Sequence, residues 1–152
     1  MSLNQQSIAI LATGDEVVAG DIVNSNTSKI AAQLESRRYV VSTHMSVRDD
    51  KEQLVSAIKW LFQSNDIVIT IGGLGPTVDD LTMEVASLIS EQPLVFQEPI
   101  WQDILKQYEQ WGKPCASINR KQAQIPASGI PLANHVGTAC GTILEFEGKH
   151  LI

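Results

Sequence analysis

Short, continuous apolar runs alternate along this chain with segments whose apolar residues recur at the period of an α-helix, and this order restricts the possible folds. Residues 7–13 and 67–71 are such runs, and each has the length of a strand. Continuous apolar runs of that length are typical of strands buried on both faces of a sheet. The predicted strands are residues 7–13, 39–45, 67–71, 142–146 and 149–152, the last two joined by a hairpin turn at Glu147-Gly148.

Four segments between the strands have helical periodicity and local end signals. Asn24 or Ser25 can cap the first helix, and Asp49 with Glu52 has the spacing of a capping box. The apolar stripe of the last helix includes Trp111. The predicted helices are residues 25–38, 49–64, 80–90 and 98–112.

Strands that alternate with helices in this order predict an α/β fold with three layers, α/β/α, and a mostly parallel sheet. With 152 residues, of which 43% are hydrophobic and 18% charged, the sequence suits one domain over residues 1–152, with residues 1–6 as a loose terminus. In sheets of this kind, ligands bind outside the carboxyl ends of the strands. The loops after Thr13, Met45 and Ile71 are therefore the candidate ligand-binding loops.

The charge distribution argues against a nucleic-acid partner, because the formal net charge is -6 and basic residues form nothing longer than pairs. The apolar run 8–12 is too short for a membrane span or a signal-peptide core, so no membrane partner is expected and the cytoplasm is the predicted location. Cys115 and Cys140 lack C-x-x-C spacing, which predicts neither a disulfide framework nor a zinc site.

A glycine-rich loop, Gly72-Gly73-Leu74-Gly75-Pro76-Thr77, directly follows the strand 67–71 and precedes a helix. Glycines allow backbone N–H groups to approach a phosphate closely, and the N-terminus of the next helix adds positive partial charge. The spacing differs from a dinucleotide fingerprint, whose sixth position would be Val78, and the Gly-Lys-Ser/Thr of a Walker loop is missing. We therefore expect this loop to bind a phosphorylated small molecule. The spacing argues against a plain kinase and against a dehydrogenase.

Two adjacent acids, Asp79 and Asp80, follow the loop, and two interpretations are open. Either one of them caps the next helix after a plain glycine turn, or they hold a divalent cation that bridges carboxylate and ligand phosphate. The first strand also ends at acids, in Thr13-Gly14-Asp15-Glu16, and Asp49 follows the second strand. Each of these loops could be a turn or a cap, but three acidic loops at one edge favour a shared metal-phosphate site.

Further polar residues are candidates for contact with the same ligand. Asn24 and Asn26 lie shortly after the first acidic loop, and Thr82 follows the glycine loop. Asn119-Arg120-Lys121 could supply positive charge to ligand phosphates or could form a solvated basic turn.

Four ordered motifs make the chain resemble the molybdenum-cofactor-biosynthesis (molybdopterin-binding) domain, in the version found at the N-terminus of CinA-type competence-damage-inducible proteins. The motifs are residues 13–16 with 20–26, residues 72–82, residues 119–123, and Asn134-His135-Val136-Gly137-Thr138-Ala139. The resemblance spans essentially the whole chain.

The resemblance implies a three-layer α/β fold that binds molybdopterin or an adenine nucleotide at the glycine loop. It also implies a metal-dependent ADP-ribose pyrophosphatase activity, with Asp80 and Asp49 as catalytic and metal-binding acids and Mg2+ or Co2+ as the divalent ion. Asp79 is a further candidate metal ligand, and Gly137 and Thr138 are candidate ligand contacts. A non-catalytic binding module and adenylyl transfer to molybdopterin stay open as alternatives. Relatives of this kind assemble as dimers or trimers, so a homo-oligomer is expected.

The chain departs from the family pattern in two places. His135 and Cys140 stand where the family segment has prolines, which removes the rigidity that proline gives a loop. The Leu-Pro-Gly-x-Pro segment expected after Ile152 and the deamidase domain of full-length relatives are not in this sequence, so deamidation is not expected.

Overall fold

The structure, a computed structural model, describes residues 6–152, so the predicted loose terminus lies, except for Gln6, outside the described residues. The strands are β1 (Ile8–Thr13), β2 (Val41–Val47), β3 (Ile67–Ile71), β4 (Leu94–Phe96), β5 (Gln124–Pro126), β6 (Ile130–Leu132), β7 (Gly141–Phe146) and β8 (Lys149–Leu151). The helices are α1 (Asp15–Ala19), α2 (Ser25–Ser36), α3 (Lys51–Phe62), α4 (Thr82–Ser90) and α5 (Glu98–Gln110), and Ser117–Ala123 forms a 3-10 helix.

Six of the strands form one sheet in the order β2-β1-β3-β8-β7-β6. The first four are parallel to one another, whereas β7 is antiparallel to both β8 and β6. The predicted C-terminal hairpin is confirmed. It turns at Glu147 and Gly148, whose φ angles of 51° and 71° are the left-handed values that a two-residue type I′ turn requires.

Helices cover both faces of this sheet, which confirms the predicted three-layer α/β fold with a mostly parallel sheet. β1 is buried along its whole length, and its successive side chains point to opposite faces. Ala9 and Leu11 belong to the main core with residues of α3 and α4, while α2 contacts β1 and β2. A second core forms where α5 packs on the 3-10 helix and β5, around Ile104 and Ile125.

Local hydrogen bonds shift the predicted starts of β2 and α3. β2 begins at Val41 and not at residue 39, since Arg38 has a left-handed φ of 67° and the Tyr39 N–H still donates to the Leu34 carbonyl at the end of α2. α3 is capped by Asp50, whose carboxylate accepts a hydrogen bond from the Gln53 N–H, so the capping box predicted at Asp49 is wrong by one residue.

Trp111 does not belong to the buried face of α5, as the helical pattern predicted. It follows the last residue of the helix, and 44% of its surface is exposed, with an edge contact to the Tyr108 ring.

The sequence patterns also missed α1, the 3-10 helix and β4 to β6, because segments of three to seven residues are too short to show a period. Within residues 6–152, no helix is both long and apolar enough to cross a membrane.

Candidate functional site

Thr13, the last residue of β1, joins two of the predicted acidic loops at the carboxyl edge of the sheet. Its hydroxyl donates a hydrogen bond to Asp49 Oδ1 at 2.6 Å, and Asp49 Oδ2 accepts a hydrogen bond from the Asp15 N–H at 3.2 Å. The Arg48 guanidinium lies 3.4 Å from the Asp15 carboxylate. The structure therefore brings Thr13, Asp15 and Asp49 together, as the strand order predicts.

The rest of the first acidic loop is tied to β2. The Gly14 N–H donates to the Val47 carbonyl at 3.2 Å. Glu16 is exposed on α1, where the Glu16 carbonyl accepts hydrogen bonds that close the turn after this short helix. Gly14 and Glu16 therefore form the entry to α1, and the hydrogen bond from the Asp15 N–H to Asp49 joins this loop to the loop after β2.

The glycine loop packs so closely against β1 and α4 that two of its glycines have no space for a side chain. Gly72 has a φ of 105°, and a Cβ atom there would lie 2.5 Å from the Thr13 carbonyl oxygen. A Cβ atom on Gly73 would lie 2.6 Å from the Thr82 hydroxyl, which donates to the Gly72 carbonyl at 2.7 Å. These glycines are therefore required by close backbone packing as well as by backbone conformation.

Asp80 turns its carboxylate back into the glycine loop. Its Oδ1 accepts a hydrogen bond from the Gly75 N–H at 2.8 Å, and its Oδ2 accepts from the Thr77 N–H at 2.8 Å and the Thr77 hydroxyl at 2.6 Å. α4 begins only at Thr82, and its N-cap position is Leu81, without a side-chain cap. The predicted helix start at residue 80 is therefore wrong. Of the two interpretations of Asp79 and Asp80, the cap of the next helix does not hold, and Asp80 is a brace of the loop.

This brace decides which backbone amides can bind an anion. The amides of Gly75 and Thr77 already donate to Asp80, and Pro76 has no N–H. In the described part of the chain, the N–H groups of Gly73 and Leu74 donate no hydrogen bond. Within residues 73–77, the amides with no hydrogen bond among the described residues are therefore a shorter stretch than the whole span that the glycine pattern predicts for an anion.

Lys121 braces the loop from the 3-10 helix. Its Nζ donates to the carbonyl oxygens of Thr77 and Asp80 at 2.7 and 2.8 Å and lies 3.5 Å from the Glu84 carboxylate. The Nζ atom of Lys51, at the start of α3, lies 3.7 Å from the other Glu84 oxygen. The ammonium group of Lys121 thus touches the loop, and Glu84 on α4 lies between it and the ammonium group of Lys51.

Gln122 also contacts the loop, and sequence reasoning did not include it among the site residues. Its Nε2 donates to the Leu74 carbonyl at 3.3 Å, and its residue surface is 8% exposed. Within residues 6–152, its buried Oε1 atom has no hydrogen-bond partner. The sequence feature that could have identified Gln122 is its position in the motif 119–123, one residue after Lys121.

The two remaining residues of that basic motif have structural contacts. Asn119 is buried, and its side-chain amide donates to the Ala116 carbonyl at 3.0 Å inside the 3-10 helix. The Arg120 guanidinium lies 4.4 Å from the centre of the Phe96 ring and 5.2 Å from that of Trp101. Cation–π contacts of this kind stabilise the packing of α5, so of the predicted trio only Lys121 touches the glycine loop.

Four further candidates lie on other elements. Asn24 caps α2 by accepting a hydrogen bond from the Thr27 N–H at 3.1 Å, and Asn26 is exposed on the first turn of that helix. Gly137 and Thr138 line a groove against α5, in a loop held by Asn134, whose Oδ1 accepts from the Gly137 N–H at 3.0 Å. No hydrogen bond among the described residues joins these four to the glycine loop.

Asp79 is exposed and carries a charge at neutral pH. A hydrogen bond from Thr77, the amide of Asp79 itself and the charge of Lys121 lower the pKa of its carboxyl below the usual value. Because the Thr77 hydroxyl has a single hydrogen and lies 2.6 Å from Asp80, its share in stabilising Asp79 is limited. In the described residues, no three His, Cys, Asp or Glu side chains are grouped as a metal cage.

Comparison with known proteins identifies the family. A family model described as "Probable molybdopterin binding domain" matches residues 9–152. The chain belongs to this family. It is 38% identical over 144 residues to a CinA-like protein of Geotalea uraniireducens, covering 95% of this chain and 34% of that protein. It is 39% identical over 147 residues to a CinA-like protein of Syntrophotalea carbinolica, covering 97% of this chain and 35% of that protein. The chain thus spans about a third of the length of these relatives.

Solved structures place the domain in the CinA branch of the family. The CinA protein of Thermoplasma acidophilum, whose function is described as unknown, superposes with a TM-score of 0.85 at 31% identity, over 98% of this chain and 87% of that one. The tungsten cofactor synthesizing protein MoaB of Pyrococcus furiosus superposes with a TM-score of 0.59 at 16% identity, over 99% and 80% of the two chains. The second likeness shows the shared fold alone.

Proposed function

We propose that this domain binds a phosphorylated nucleotide or pterin at the glycine loop and hydrolyses the phosphoanhydride bond of ADP-ribose with a divalent ion. Water adds to one phosphorus atom while the bridging P–O bond breaks, so that ADP-ribose and water become AMP and ribose 5-phosphate. The observation that carries the proposal is the braced loop, which leaves the N–H groups of Gly73 and Leu74 unpaired among the described residues. Preorganised donors of this kind stabilise charge that develops on phosphate oxygens.

The residues at this edge fit a divalent ion that is shared with ligand phosphates. Each Asp49 oxygen accepts one hydrogen bond and keeps a lone pair, and the exposed Asp79 carboxylate is ionised. Mg2+ is commonly held by one or two carboxylates plus substrate phosphates, so a cage of three protein ligands is not needed. When bound, such an ion neutralises phosphate charge and lowers the pKa of a bound water. Asp80, with both oxygens engaged by the loop, is assigned to positioning the loop.

Turnover of ADP-ribose tests the catalytic part of this proposal. We expect AMP and ribose 5-phosphate to form with Mg2+ or Co2+ and to stop forming with EDTA. Asp49→Asn keeps an oxygen for the Thr13 hydroxyl and removes the charge, so the rate should fall roughly 10-fold or more, about 1.4 kcal/mol in the barrier. Glu109→Gln, an exposed position on α5, removes a charge of the same sign away from this edge and is the matched control, which should leave the rate unchanged.

A binding module without turnover is the second candidate, and one observation favours it. Two of the candidate acids are engaged by the chain itself, since Asp80 accepts three hydrogen bonds and Asp49 accepts two. Calorimetry that detects ADP-ribose binding, with no AMP formed at high protein concentration, would select this candidate. Adenylyl transfer would instead release pyrophosphate from ATP only when the pterin is present.

Assembly into a dimer or trimer stays a prediction, which light scattering can test against the 16.6 kDa chain.

A further inference from the structure

Thr82, the first residue of α4, makes two hydrogen bonds to the glycine loop. Its hydroxyl donates to the Gly72 carbonyl at 2.7 Å, and its N–H donates to the Gly73 carbonyl at 3.1 Å. Thr82 is buried, so both bonds are shielded from water, where a hydrogen bond is electrostatically stronger. One residue therefore holds two consecutive carbonyl groups of the loop.

The two carbonyls that Thr82 holds belong to the same peptide units as the two unpaired amides of the loop. The Gly72 carbonyl shares a peptide plane with the Gly73 N–H, and the Gly73 carbonyl shares one with the Leu74 N–H. In a planar trans peptide unit, the C=O and N–H bonds point in opposite directions. Because both carbonyls point toward Thr82, both N–H groups point away from it, toward the opposite side of the loop.

Gly73 is the residue between these two peptide units, and its conformation suits this alignment. Its φ of 60° lies in the left-handed region, and successive N–H groups around such a residue form concave anion-binding sites. A Cβ atom at this position would lie 2.6 Å from the Thr82 hydroxyl oxygen. The close approach of Thr82 to the loop therefore requires glycine at position 73.

The N-terminus of α4 acts on this part of the loop through a hydrogen bond. The Thr82 N–H is one of the N-terminal donors that have no acceptor within a helix, and it is already bound to the Gly73 carbonyl. Hydrogen bonds in series polarise one another, so this bond makes the Leu74 N–H of the same peptide unit a stronger donor. The partial positive charge of the helix thus reaches an anion by way of the Leu74 amide.

We propose that Thr82 is a positioning residue, which aims the Gly73 and Leu74 amides at the ligand phosphate without touching that phosphate. We assign it this role in place of direct ligand contact, because its one hydroxyl hydrogen is donated to the Gly72 carbonyl. The inference rests on the proposed function, since it takes these two amides as the phosphate site.

Thr82→Val and Thr82→Ser test the role of the hydroxyl. Valine has nearly the shape of threonine but no hydrogen to donate, so the Gly72 carbonyl loses its partner, whereas serine keeps the donor. In calorimetry with ADP-ribose, Thr82→Val should bind roughly 10-fold or more weakly than the wild type, and Thr82→Ser should restore most of the affinity. Thr27→Val is the matched control, because Thr27 is equally buried in the first turn of α2 and its hydroxyl has no partner among the described residues. It should bind like the wild type.

Nuclear magnetic resonance separates positioning from direct contact. In ligand-free Thr82→Val, the Gly72 carbonyl carbon and the Gly73 amide nitrogen should shift, because they belong to the released peptide unit. In the wild type, the Thr82 hydroxyl proton should be protected from exchange and should keep its resonance when ADP-ribose shifts the Gly73 and Leu74 amides. This second measurement needs no variant, so the proposal can be tested even if Thr82→Val does not fold in urea-unfolding controls.

The possible failures of the positioning role and of the proposed function can be told apart. Wild-type affinity in a folded Thr82→Val protein, or no restoration by Thr82→Ser, would overturn the positioning role. A large shift of the wild-type hydroxyl proton on binding would show direct contact and would overturn it as well. In each of these cases the phosphate site stands if the Gly73 and Leu74 amides respond to ADP-ribose. No response of these two amides in the wild type would overturn the phosphate site itself.

Discussion

Gly72→Ala should destabilise the domain by roughly 3 kcal/mol or more, because it combines a strained backbone with a collision. The φ of 105° at Gly72 is one that L side chains rarely adopt, and the new Cβ atom would lie 2.5 Å from the Thr13 carbonyl oxygen. Neither atom can move without shifting β1, which is buried along its whole length. Urea unfolding followed by tryptophan fluorescence measures the loss.

Gly112→Ala is the matched control for backbone strain. Gly112 has a left-handed φ of 64°, but a Cβ atom there would meet nothing within 4 Å. Its cost should be about 1 kcal/mol, the typical penalty of a left-handed conformation without a collision. Equal losses in the two variants would show that the glycine loop does not press against the end of β1.

Asp80→Asn should loosen the glycine loop, although Asn replaces Asp well at helix caps. The two carboxylate oxygens of Asp80 face N–H and O–H donors of Gly75 and Thr77 only. An amide presents its own NH2 group to one of these donors whichever way it turns, at a cost of roughly 1–3 kcal/mol. Hydrogen exchange at the Gly75 and Thr77 amides should accelerate at least about 10-fold, and ligand binding should weaken with it.

Two control variants distinguish the bracing of the glycine loop by Asp80 from an effect of lost negative charge and from an effect of a changed helix cap. Asp79 precedes Asp80 and is exposed, so Asp79→Asn removes the same charge at the neighbouring position. Asp50→Asn changes the residue that caps α3. Both should leave the exchange of the Gly75 and Thr77 amides unchanged. If Asp80→Asn exchanges at the wild-type rate, or if Asp79→Asn accelerates exchange as strongly, the brace is not formed by Asp80.

The layers of the fold could be predicted because long elements have a visible period. The continuous apolar run at residues 67–71 and the amphipathic helix over residues 51–62 need no tertiary information to be recognised. The short strands β4 to β6 and the 3-10 helix could not be predicted, since their backbone is fixed by contacts with distant segments. Residue 39 illustrates the same limit, because a turn that returns to Leu34 delays the start of β2.

That several candidate residues meet at one edge of the sheet could be predicted, but the contacts that each of them makes could not. Strand order alone places Thr13, Asp49 and the glycine loop at one edge of the sheet. Whether Asp80 caps a helix, binds a metal or braces a loop depends on one side-chain rotation, which the sequence does not encode locally. The same holds for Arg120, whose neighbours in sequence suggested a phosphate contact but whose guanidinium stacks on Phe96 and Trp101.

Amide resonances of the glycine loop give the most direct test of the central claim that phosphate binds at Gly73 and Leu74. In a titration of the 15N-labelled protein with AMP or ADP-ribose, the largest shift changes should occur at these two amides. The Gly75 and Thr77 amides should change less, because they keep their hydrogen bonds to Asp80. Saturable binding that shifts resonances elsewhere, such as those of the groove between α5 and residues 134–138, and leaves Gly73 and Leu74 unchanged would contradict the claim.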